Sequence, residues 1–153
     1  MNNKPVIILF KENEINIAAL YSLYAQKIPE KRTFWEKLSN EEIRHAAEIG
    51  NEKEQTDAII ENKFSRIIIN TVITFVLEET TKAQQKNISH REALKTALRI
   101  EQSMLEKKCF EIFKPTNKKL KDVFCKMNKE TERHVEMLHE EMKRANLTFN
   151  DLA

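Results

Sequence analysis

Glu42 and His45 form a Glu-x-x-His pair inside a helical stripe. Trp35, Leu38, Glu42, His45 and Ile49 recur at steps of three and four, so all lie on one helix face. That face is expected to be buried, and a buried carboxylate needs a charge partner or a metal. Glu14, Glu101 and His134 fall on similar inward stripes. Glu14 runs with Ile17/Ala18, Tyr21, Tyr24/Ala25 and Ile28. Glu101 is the acid on a stripe of Leu94, Ala97/Leu98, Met104/Leu105, Cys109 and Ile112. His134 follows Leu120, Phe124, Met127 and Thr131, and precedes Leu138 and Met142. Three ionised carboxylates meeting in one core repel strongly if bare. Dications relieve that repulsion through bridging carboxylates, with imidazole as nitrogen ligand. Such a mixed set suits iron, manganese or zinc better than magnesium or calcium.

Plainer readings stand beside this one. Glu14 can cap the start of its helix, and Glu42 with His45 can be an ordinary buried acid–imidazole pair. Glu101 can pair with a lysine across the bundle. His134 can be a core histidine bonded to Glu14 or Glu101. Ser39 with Glu42 matches a capping box, but Phe34, Trp35 and Leu38 already belong to the same periodic face. Tyr21 and Tyr24 read as core aromatics with a polar handle, and one of the two is placed to hydrogen-bond a ligand carboxylate. His90, in a capping turn, and His139, off the stripe, read as surface residues.

The elements that must carry these residues are helices. The 153 residues include one Gly and three Pro, which favours long helices with short connections in a single domain, 1–153. Val6 to Phe10 leads into, or forms the first turn of, a helix from Phe10 or Asn13 to Lys27. Pro29 marks a break. A second helix runs from about Glu30 to Asn51, or as far as Ile60. Thr56 to Asn62 is a weak helical stretch. The β-branched run Ile67 to Leu77 fits a 3.6-residue period and is read as part of a short crossover helix, roughly Asn70 to Lys86. Ser89 and Glu92 form a capping box for a third main helix, His90 to about Phe113. Pro115 precedes a fourth, about Asn117 to Arg144. The fold class is all-α: four main helices with one long crossover, giving paired hairpins.

Charge excludes other functions. Lysine alternates with glutamate and the formal net charge is only +2, so no nucleic-acid footprint appears. No stretch is long and apolar enough for a membrane role. Cys109 and Cys125 lack C-x-x-C spacing, and with no signal segment a cytoplasmic protein with free thiols is expected.

The combined pattern resembles the ferritin-like superfamily, nearest to the rubrerythrin-type di-iron domain, over roughly Lys11 to Met142. Glu14 is followed by an aromatic, Tyr21, seven residues later. Glu42 and His45 match the Glu-x-x-His of the second helix, and Glu101 the lone acid of the third. The fourth helix departs from the family: His134 matches, but Thr131 stands where a glutamate is expected, and Met104 replaces a further acid. The rubredoxin domain of rubrerythrins has no counterpart. The resemblance implies a ferritin-like four-helix bundle with two irons, manganese or zinc being substitutes. Glu14, Glu42 and His45 would hold one ion, and Glu42, Glu101 and His134 the other, with Glu130 joining after a slight register shift. It implies a di-iron oxidoreductase that reduces peroxide or dioxygen, or oxidises ferrous iron. An external electron donor is needed, since the chain has no haem or thiolate iron motif. A homodimer, with Ile67 to Leu77 in its face, fits this class of domain. Thr131 favours a rival reading, a non-catalytic protein holding a single metal or acting as an interaction bundle.

Overall fold

The computed structural model describes residues 4–49, 63–106 and 117–145. The expectations for Asn51 to Asn62, for Cys109, Ile112 and Phe113, and for the carboxy-terminal tail fall outside them. Among the described residues every regular element is helical: α1 Val6–Lys27, a 3-10 turn Pro29–Lys31, α2 Arg32–Ile49, α3 Lys63–Gln85, α4 His90–Glu106 and α5 Lys118–Arg144. The result is an all-α bundle, broadly consistent with a ferritin-like architecture. None of these helices is long and apolar enough to cross a membrane.

Proline sets the first corner. The residue before a proline is disfavoured in the helical region. Ile28 accordingly leaves it (φ −126°, ψ 72°) and α1 ends at Lys27, while Pro29 opens the 3-10 turn that leads into α2. Helix α1 starts at Val6, well ahead of Glu14, so Glu14 is no cap. Ser39 is no cap either. It lies inside α2 and donates its hydroxyl to the Ala18 carbonyl of α1 at 2.8 Å, tying the two helices together. The second capping box does form: Ser89 Oγ accepts from the Glu92 amide at 3.1 Å and the Ser89 amide donates to Glu92 Oε1 at 3.4 Å. At α5, Asn117 Oδ1 accepts from the Leu120 amide at 2.7 Å.

The crossover expectation needs correction. Helix α3 is 23 residues long, as extended as α1, and packs along it. Its buried line is Ser65, Ile68/Ile69, Val72, Val76 and Ala83. Helix α1 lies between α2 and α3, and α5 packs on α4 and touches α2. Both faces of α1 are therefore covered: Phe10, Glu14, Ile17 and Tyr21 on one, and Leu9, Asn13 and Leu20 on another, all buried. The core runs without interruption from Val6 in α1 to Met142 in α5.

Candidate metal centre

Four helices aim acid and imidazole groups into one interior volume. Glu14 comes from α1, Glu42 and His45 from α2, Glu101 from α4 and His134 from α5, each at most 4% exposed. They form two overlapping groups, Glu14–Glu42–His45 and Glu42–Glu101–His134, whose ligand atoms lie within 4.8 Å of one another. Glu42 belongs to both. His45 Nδ1 sits 3.4 Å from Glu42 Oε2 and 3.7 Å from Glu14 Oε2. His134 Nδ1 sits 3.2 Å from Glu42 Oε1 and 3.4 Å from Glu101 Oε1. The two imidazoles are 6.0 Å apart between centroids, with planes inclined by only 23°.

Each imidazole is held from behind. His134 Nε2–H donates to Glu41 Oε2 at 2.8 Å, and Arg133 holds Glu41 Oε1. His45 Nε2–H donates to Glu130, which Arg44 holds at 3.1 Å. The bracing is reciprocal, because Glu41 on α2 serves the histidine of α5, and Glu130 on α5 serves the histidine of α2. It arises from one pattern written twice, Glu-x-x-Arg-His, at Glu41–His45 and at Glu130–His134. These outer carboxylates fix the proton on Nε2 and leave Nδ1 facing the cluster, the arrangement used by metal-ligating histidines.

Glu130 thus stands outside both groups, at the far nitrogen of His45, instead of swinging into the cluster. Glu41, Arg44 and Arg133 went unread in the sequence, although the repeated five-residue pattern was available as a signal. Tyr21 donates its phenol to Glu101 Oε1 at 2.9 Å. Thr131 is buried and donates to the Met127 carbonyl of its own helix at 2.9 Å, so its hydroxyl satisfies backbone.

The electrostatics are those of a charge-crowded interior. Burial pushes the Glu14 carboxyl well up, and the neighbouring Glu42 charge adds to it. Burial and Glu42 likewise raise Glu101, against the pull of His134 and Tyr21. Burial works the same way on Glu42, but Glu14, His134 and His45 close beside it overcome that effect and hold this carboxyl far below its usual range. Burial alone would lower both imidazoles. The surrounding carboxylates win, and raise His45 to about 11 and His134 to about 12. Protons on the two imidazoles therefore offset the carboxylate charge at the centre of the cluster. A dication would do the same work at the same place.

A metal fits the residues present. His134 Nδ1 is buried without a hydrogen-bond partner although two carboxylate oxygens stand close to it. Such an atom is costly unless something binds it. Among known protein-family models, curated proteins and solved structures, nothing matches this chain.

Proposed function

We propose that this chain is a ferritin-like metal protein whose cluster binds two metal ions, iron foremost, and serves as a di-iron oxidoreductase. The observation that carries the reading is the pair of groups sharing Glu42, each with an imidazole Nδ1 turned inward and its Nε2 tied to an outer carboxylate. Glu14, Glu42 and His45 would hold one ion, and Glu42, Glu101 and His134 the other. Manganese or zinc suits the same donors. When bound, a pair of ferrous ions supplies two electrons for peroxide or dioxygen, or takes part in oxidising further ferrous iron.

The chain's own residues account for the rest. Glu42 belongs to both groups and would serve both ions, and its low pKa keeps it ionised for that role. Glu41 and Glu130 keep the imidazoles oriented and raise their basicity. Tyr21 steadies Glu101 and is itself packed on Trp35, at 5.6 Å between ring centroids. An electron donor outside the chain completes turnover.

Anaerobic titration with ferrous iron tests this. About two ions per chain, oxidised by peroxide and lost together in Glu42→Ala, are expected. A second reading, one structural ion without turnover, is favoured by Thr131, which adds no carboxylate to the Glu101–His134 side. It requires a single tightly held zinc and no redox change.

A further inference from the structure

A cleft of about 570 Å³ lies at the corner between α1 and α2, walled by the Pro29 turn, the start of α2 and the end of α5. None of the cluster's acid or imidazole residues lines it. Phe34 and Met137 give the cleft an apolar side. Four cations and three acids stand round it. Two of the acids are already matched: Glu141 holds Lys31 at 3.3 Å, and Glu140 faces Arg144 at 3.9 Å. Arg32 and Lys37 have no ion-pair partner among the described residues, and Glu30 alone remains to set against them. The unmatched charge is therefore positive.

Glu141 differs from the other charged lining residues in being buried, at 3% exposed. Beside it and Phe34 stands His90, edge-on to the Phe34 ring. Trp35 Nε1–H donates to His90 Nδ1 at 3.2 Å. Burial holds this imidazole below its ordinary pKa, so the ring is neutral and its one hydrogen sits on Nε2. That Nε2–H is buried and has no hydrogen-bond partner. Glu141 Oε1 lies 3.9 Å away, too far for a direct bond. A hydroxyl seated about 2.8 Å from each atom would close the gap, accepting from Nε2–H and donating to the carboxylate. A carboxylate has no hydrogen to give Glu141, and an ammonium has no lone pair for Nε2–H.

We propose that this cleft binds a small aromatic anion that carries a hydroxyl. Its ring lies against Phe34 and Met137, its anionic group meets Arg32 and Lys37, and its hydroxyl bridges His90 and Glu141. The volume is that of an ordinary small-molecule site, roughly 300–1,000 Å³. Phenolic acids and nucleoside monophosphates share this chemistry. The site does not rest on the metal reading, because the two share no residue.

The test uses the full chain stripped of metal, so that no probe reports on the cluster. Para-hydroxybenzoate and adenosine monophosphate are each titrated by calorimetry and by heteronuclear NMR. Trp35 is the single tryptophan, so its indole N–H gives one signal, and that hydrogen is the one held by His90. At least one probe should bind once per chain and shift that signal, and which of them does so identifies the source. Taking the hydroxyl away, with benzoate or with the nucleotide lacking its ribose hydroxyls, should weaken binding about tenfold, since His90 and Glu141 are left unpaired. Arg32→Glu and Lys37→Glu, both at exposed positions, should each weaken it by about threefold or more. Lys119→Glu, the same charge change at the other end of α5, should leave it unchanged. Binding of neither probe overturns the proposal. So does binding that ignores both charge reversals, or that leaves the Trp35 signal in place, or that is equally tight without the hydroxyl.

Discussion

Glu41 and Glu130 each sit one position off the inward stripe of their own helix, yet each reaches a buried imidazole on the facing helix. A stripe read along one helix sorts residues by that helix's own axis. It finds Glu14, Glu42, His45, Glu101 and His134, because all point to the bundle centre. It passes over flank residues, because whether a flank meets a neighbour depends on how two helices pack. His90 departs from its expected surface position for the same reason: in its own capping turn it looks solvated, but Trp35 and Phe34 of α2 close over it. Replacing an outer partner of a metal-ligating histidine typically costs about ten- to hundredfold in affinity. Glu41→Gln and Glu130→Gln should each weaken metal binding by that range in a competition titration while leaving the stoichiometry unchanged. Protonation gives a second expectation. His45 and His134 have folded-state pKa values above the unfolded 6.5, so in the metal-free chain their stabilisation is complete below that pH. It is lost as pH rises through about 11 and 12. Glu42 is shifted the other way: its contribution is present above 4.5 and lost as the solution is acidified through its depressed pKa. A metal must displace both imidazole protons, so affinity should rise with pH across the neutral range. Calorimetry in buffers of different ionisation heat should find protons released on binding, and uptake instead of release would contradict the ligand assignment.

At the scale of the element, punctuation was legible and extent was not. Pro29, the Ser89–Glu92 box and Asn117 each mark a boundary that the structure keeps. A cap is local chemistry, decided within one turn. The length of α3 is decided by tertiary packing. Its β-branched run, Ile67 to Ile69 and Val72 to Ile73, has modest helix propensity, and burial of Ile68, Ile69, Val72 and Val76, along a helix that packs on α1, outweighs it. Helix α1 misleads in the opposite sense. With apolar residues on both covered faces, it shows no single stripe in its sequence. The caps offer a clean measurement. Removing the hydroxyl of Ser89 takes a hydrogen bond from the first turn of α4, worth roughly 1 kcal/mol at such positions. Ser89→Ala should lower the free energy of chemical unfolding by about that amount, with an unchanged denaturant slope. Ser39→Ala, though also a serine inside a sequence that imitates a cap, should act differently. It leaves the Ala18 carbonyl of a buried contact without its donor, so its cost should appear as a looser α1–α2 pairing in hydrogen exchange, not as fraying of a helix end.

For the whole molecule, the question is why a bundle would keep three carboxylates at its centre. In the metal-free chain, the protonated imidazoles of His45 and His134 hold the net charge down, and the core survives on packing that extends from α1 to α5. A bound metal would convert the same cluster from a cost into a link between four helices, and binding to the folded state alone would raise stability by mass action. At about a hundredfold excess over the dissociation constant, that is roughly 2.7 kcal/mol for one site. Thr131 is where the two cases can be separated. It occupies, in the second copy of the repeated pattern, the place that Glu42 occupies in the first, and its buried hydroxyl is spent on the Met127 carbonyl. Thr131→Glu adds a carboxylate to an interior that already holds three. Without metal, the new group has to be buried protonated or poorly paired, at a cost of about 1–3 kcal/mol. With metal, it supplies the second side with the donor that it lacks. The variant should therefore melt below the wild type in chelator and recover or surpass it when ferrous or zinc ions are added, with the second equivalent bound more tightly in titration. A variant that stays equally destabilised with and without metal would mean that the Glu101–His134 side takes no ion. The Glu14–Glu42–His45 group would then be left as the only metal position.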